Sequence, residues 1–124
     1  MSSNAFIVED FPIWSNADFD IIRVYNPNNV LVDLTGYTAE LQIRINRTDT
    51  SPQLTLTSPA GGIILGGTAA TVYIAITSAQ AAALQASMPG GVGYYDCILT
   101  QTSTGIKTRF MSGAVNINLG ITRP

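Results

Sequence analysis

The chain has 124 residues, enough for one domain with a real core; 46% are hydrophobic and only 11% charged. Its net charge is −2, and its six cations are spaced singly from Arg23 to Arg123. No basic run is available for a line of phosphates and no basic amphipathic helix for a membrane surface, which argues against both partners. Low charge favours a subunit that hides surface in an assembly over a free monomer.

In chain order, Ala5 to Val8 is the first short strand candidate. Phe11, Pro12, Ile13 and Trp14 follow in a segment broken by Pro12 and Ser15–Asn16. Residues 1–16 are therefore expected to form an N-terminal arm ahead of a single sandwich domain over 17–124. Those four apolar residues are the candidate protein-interface residues, because aromatic side chains dominate interface hot spots. They serve equally well as a plug at the bottom of the sandwich.

Asp18 to Tyr25 reads as a strand whose apolar phase slips between Ile21 and Ile22, which predicts a β-bulge there. Asn26-Pro27-Asn28-Asn29 marks a turn. In Asp33-Leu34-Thr35-Gly36 an acceptor side chain precedes a glycine free to take positive φ, so the segment starts a strand. Tyr37 to Ile45 gives the cleanest period-two pattern, with Tyr37, Ala39, Leu41, Ile43 and Ile45 on one face. Thr71 to Thr77, Tyr94 to Thr100 and Val115 to Leu119 follow the same rule, and Leu54 to Thr57, Ile63 to Leu65 and Ile106 to Met111 are shorter strand candidates. Between them, Thr77-Ser78-Ala79-Gln80 is a capping box that opens a helix over about 78–88, closed by Pro89-Gly90-Gly91. The expected fold is an all-β sandwich of about eight or nine short strands with one short helix.

Chemistry is poorly provided for. Histidine is absent and cysteine occurs once, at Cys97. That removes the commonest general base, every Ser-His or Cys-His arrangement and any zinc ligand set. Cys97 lies on the apolar side of its strand and reads as a structural thiol. Asp18 and Asp20 share a strand face, a spacing that suits calcium or a glycosidic bond but reads more simply as a solvated strand start. Lys107 and Arg109 also share a face, which suits an acidic partner or solvent alone. The expectation is a non-catalytic binding protein with no catalytic, cofactor or metal residues and no cofactor. The first residues lack a secretory signal and no stretch approaches a membrane span, so synthesis in a cytoplasm is expected.

Val32 to Arg44, with its Asp33-Leu34-Thr35-Gly36-Tyr37 start and Gln42-Ile43-Arg44 end, resembles a strand of small phage and prophage tail-module proteins. Later pieces keep the order of that family: Gly61-Gly62-Ile63, Thr77-Ser78-Ala79-Gln80-Ala81, Tyr95-Asp96, and Gly113 through Val115 and Ile117 to Ile121-Thr122-Arg123. The chain is similar, too, to the N-terminal domain of phage baseplate upper proteins. The resemblance implies an immunoglobulin-like sandwich and a virion structural adaptor in a tail, baseplate or tail-fibre attachment region. Its expected partners are other virion proteins in multiple symmetric copies, after synthesis in the host cytoplasm. Two alternatives stay open: a capsid decoration or cement protein, and a carbohydrate-binding sandwich using Tyr94, Tyr73 or Trp14 for host attachment.

Overall fold

A computed structural model describes residues 7–59 and 61–121. Among them are nine strands in two sheets and one α-helix: β1 (Ile7–Val8), β2 (Phe11–Trp14), β3 (Phe19–Val24), β4 (Tyr37–Arg44), β5 (Leu54–Thr57), β6 (Ile63–Leu65), β7 (Thr71–Ile76), α1 (Ser78–Ser87), β8 (Val92–Gln101) and β9 (Lys107–Asn118). The larger sheet has the order β1-β9-β8-β4-β5, with β2 also on β9; the smaller is β3-β7-β6. The result is the all-β sandwich with one short helix that the alternation predicts.

The core lies between the sheets. Leu41, Ile43, Leu56, Cys97, Leu99 and Val115 of the larger sheet are buried, as are Ile63, Val72, Ile74 and Ile76 of the smaller. Each belongs to one parity of its strand, so the other parity builds the two outer faces. The larger sheet adds Phe11 and Ile13 of β2 to this core. α1 packs on β2 and β9 through Ala81 and Leu84. Its start is the expected capping box: Thr77 Oγ1 accepts from the Gln80 N–H at 3.1 Å and Gln80 Oε1 accepts from the Thr77 N–H at 2.9 Å. The Asp33 turn also forms as expected, with Asp33 accepting the Thr35 N–H at 2.9 Å and Gly36 at φ +83°.

Three features depart from the sequence reading. First, residues 7–14 are not an arm. β1 and β2 pair in parallel with β9 in one continuous register, from Ile7 opposite Met111 to Trp14 opposite Asn118. Between the two short strands the Glu9 carbonyl crowds Gly113, and the Asp10 carboxylate accepts the Ala114 N–H at 3.0 Å. A side chain thus fills the place of a ladder bond at the break.

Second, β3 carries no bulge; it pairs evenly with β7 from Phe19 opposite Ile76 to Val24 opposite Thr71. The inward parity is Phe19, Ile21 and Arg23. Arg23 is accommodated because its guanidinium grips the Glu9 carboxylate, Nε at 2.8 Å from Oε1 and Nη2 on Oε2. Ile22 and Val24 consequently face outward and are exposed.

Third, the two strands expected at 106–111 and 115–119 form the single strand β9. Its bulge lies where Cys97 pairs with Met111 and Ile98 with Arg109, leaving Phe110 extra. Both Phe110 and Met111 are buried, a consecutive apolar pair that a regular strand would split between faces.

Candidate binding faces

The N-terminal interface candidates divide by parity. Phe11 and Ile13 are wholly buried, and Phe11 stacks on Tyr95 with ring centroids 4.0 Å apart. These two hold the sandwich together and are not docking residues. Pro12 and Trp14 point the other way, onto the outer face of the larger sheet, where Trp14 is 50% exposed. Only this second pair is placed to meet a partner.

The same outer face gathers the cations that the sequence spaces singly. Gln42 and Arg44 come from β4, Tyr94 and Asp96 from β8, and Arg109 and Ser112 from β9. Arg47, just beyond β4, lies with its guanidinium carbon 4.8 Å from the Tyr94 ring centroid. Together they line an open groove of about 240 Å³. Arg44 is fixed at its base: Nη1 donates to the Asp49 carbonyl at 2.6 Å and Nη2 to Gln42 Oε1 at 2.5 Å. Lys107 sits one register step away, in an adjoining depression with Glu40, Ile98 and Thr100. Four of the six cations therefore share one face, a clustering created by strand pairing and invisible in linear spacing.

The outer face of the smaller sheet is different. Ile22, Tyr73 and Ile64 stand in one register row across β3, β7 and β6. Ile22 and Ile64 are 56% and 54% exposed, and Val24 continues the patch. The Tyr73 hydroxyl donates to Asp20 at 3.0 Å, and this bond raises the phenol's pKa above its ordinary value. The aromatic candidates for sugar stacking therefore do not converge. Tyr73 is on one sheet, whereas Tyr94 and Trp14 are on the other. The last two are separated by two strand spacings and four residues of β9, about 16 Å.

The paired aspartates have structural tasks. Asp18 accepts the Ser78 N–H at 2.7 Å, satisfying a first-turn donor of α1, and Asp20 accepts from Tyr73. Among the described residues no three His, Cys, Asp or Glu side chains are grouped to hold a metal ion. Cys97 is fully buried, and burial pushes its thiol up to about 12. No helix among the described residues is long and apolar enough to cross a membrane. No family model matches the chain, and no curated protein matches its sequence.

Proposed function

We propose that this chain is a non-catalytic structural adaptor of a bacteriophage virion, present in symmetric copies in the tail, baseplate or tail-fibre attachment region. The observation that carries the binding part is the outward row Ile22–Tyr73–Ile64. Two β-branched side chains more than half exposed, flanking Tyr73 on the outer face of a three-stranded sheet, are what a partner surface covers. The low charge of the chain and the resemblance of its Val32 to Arg44 run to a strand of phage tail-module proteins support the virion part. The absence of histidine and the shielded Cys97 thiol leave surface complementarity, rather than bond chemistry, as the mode of action.

The test is the location of this chain in purified particles, by a small epitope at its C-terminus and cryo-electron microscopy. Stoichiometric copies at the tail tip or baseplate are expected. Copies distributed over the capsid shell assign it instead as a cement protein, and particles without it sink the virion reading.

A further inference from the structure

The arginine groove of the larger sheet was built from three distant parts of the chain, and its chemistry is specific. Three guanidiniums face one carboxylate, Asp96, so the groove is cationic within a chain whose net charge is −2. The backbone N–H groups beneath it are engaged in the β4–β8–β9 ladders, so side chains must do the recognising. Phosphate sites usually draw on backbone N–H groups, which this face withholds. The planar guanidinium fork matches a carboxylate. Arg44 is already held by Asp49 and Gln42, and Arg47 by the Tyr94 ring, which reduces the ordering that binding requires. Arg47 also covers a face of Tyr94 on which a pyranose would stack, so the groove favours an amino-acid carboxylate over an acidic sugar.

We propose that this groove is a binding site for an acidic side chain, Asp or Glu, presented by an extended segment of a protein partner. The inference deepens the adaptor reading and rests on it only for the source of the carboxylate. Asp96 lowers the net positive charge of the groove, so it weakens the hold on an entering carboxylate without cancelling it.

The experiment uses the full chain, labelled with nitrogen-15, titrated with a blocked Gly-Gly-Glu-Gly peptide. The matched Gln peptide and digalacturonate are the comparison arms. Saturable amide shifts confined to 42–47, 94–96 and 109–113, weakened by added salt, are expected from the Glu peptide alone. Arg47→Gln and Arg109→Gln should each weaken binding about fivefold, the upper range for an exposed ion pair. Asp96→Asn should tighten it, with the thermal midpoint of all three variants unchanged. No saturable shift, equal shifts from the Gln peptide, stronger binding of digalacturonate, or weaker binding by Asp96→Asn each overturns the proposal. The result is separable from particle location. Peptide binding without a virion position overturns the adaptor reading alone, and a virion position without peptide binding overturns the groove alone.

Discussion

Gly113 stands where the N-terminal segment presses closest to β9. A Cβ there would lie 2.2 Å from the Glu9 carbonyl oxygen and 2.8 Å from its carbon, both backbone atoms that cannot swing away. Gly113→Ala should therefore destabilise the fold by about 1–3 kcal/mol, the cost of overpacking, read as a lower urea midpoint. An unchanged midpoint would show that β1 and β2 do not sit on β9 as described. Two buried acids give the residue scale a pH signature. Burial pushes Cys97 up to about 12 from an ordinary 9.0, and burial raises Tyr95 well above 10.0 while its hydroxyl donates to the Glu9 carbonyl at 2.6 Å. Both groups keep their protons in the folded state at pH values where the unfolded chain releases them. Their stabilisation is thus complete below about pH 9 and falls as pH rises toward the folded values, by at most about 1.4 kcal/mol per unit for each group. Urea midpoints measured from pH 7 to 11 should decline beyond pH 9. Cys97→Ala should flatten the first part of that decline, whatever it does to the midpoint at pH 7; parallel profiles for the two proteins would refute the assignment.

At the scale of elements, the strands and the capped helix were legible because period-two alternation and a hydroxyl–glutamine cap are local signals. Tyr37 to Arg44 needed nothing more. The misplaced features each depend on a distant residue. The apolar phase of β3 passes from Phe19 and Ile21 to Ile22 and Val24 and so implies a slip, but Arg23 has a partner, Glu9, 14 residues upstream that lets it face inward and keeps the strand regular. Phe110 and Met111 carried a usable sign of a bulge, two adjacent buried apolar residues, though Lys107 and Arg109 drew attention to the other face. The segment at 7–14 was masked by Pro12, which is tolerated because β2 is an edge strand. Its own alternation, Phe11 and Ile13 against Pro12 and Trp14, was the available clue. Removing residues 1–16 deletes two wholly buried large side chains, worth about 3–5 kcal/mol for Phe11 and 2–5 for Ile13 if each were cut to alanine. That sum rivals the whole stability of a small domain, about 5–15 kcal/mol. The truncated chain should lack a cooperative thermal transition by circular dichroism. Trp14→Ser, on the outer face and half exposed, should keep a cooperative transition.

The whole molecule presents two outer faces of opposite character, and neither is readable from linear spacing. Strand pairing collects Arg44, Arg47, Lys107 and Arg109 on the larger sheet, and the even register of β3, β7 and β6 aligns Ile22, Tyr73 and Ile64 on the smaller. In an isolated sandwich the apolar row is unfavourably wet; covered by a partner, each isoleucine regains part of about 1.5–3 kcal/mol of burial. Substituting both should then separate stability from assembly. Ile22→Ser with Ile64→Ser changes side chains that are more than half exposed and lie outside the core cluster, so each change should shift folding stability by no more than about 0.5 kcal/mol. β-branched side chains suit strands, and Thr in place of Ser keeps that preference as a second variant should Ser weaken the sheet. Incorporation into particles should fall at least tenfold for the double variant, the loss expected when a patch centre is truncated. Both quantities come from one preparation: the thermal midpoint of the purified chain and its copy number in particles assembled with the variant as the sole source. A double variant that melts normally and fills particles at parental occupancy would remove the small-sheet face from the interface and leave the larger sheet, with its arginine groove and Trp14, as the face on which this chain is held.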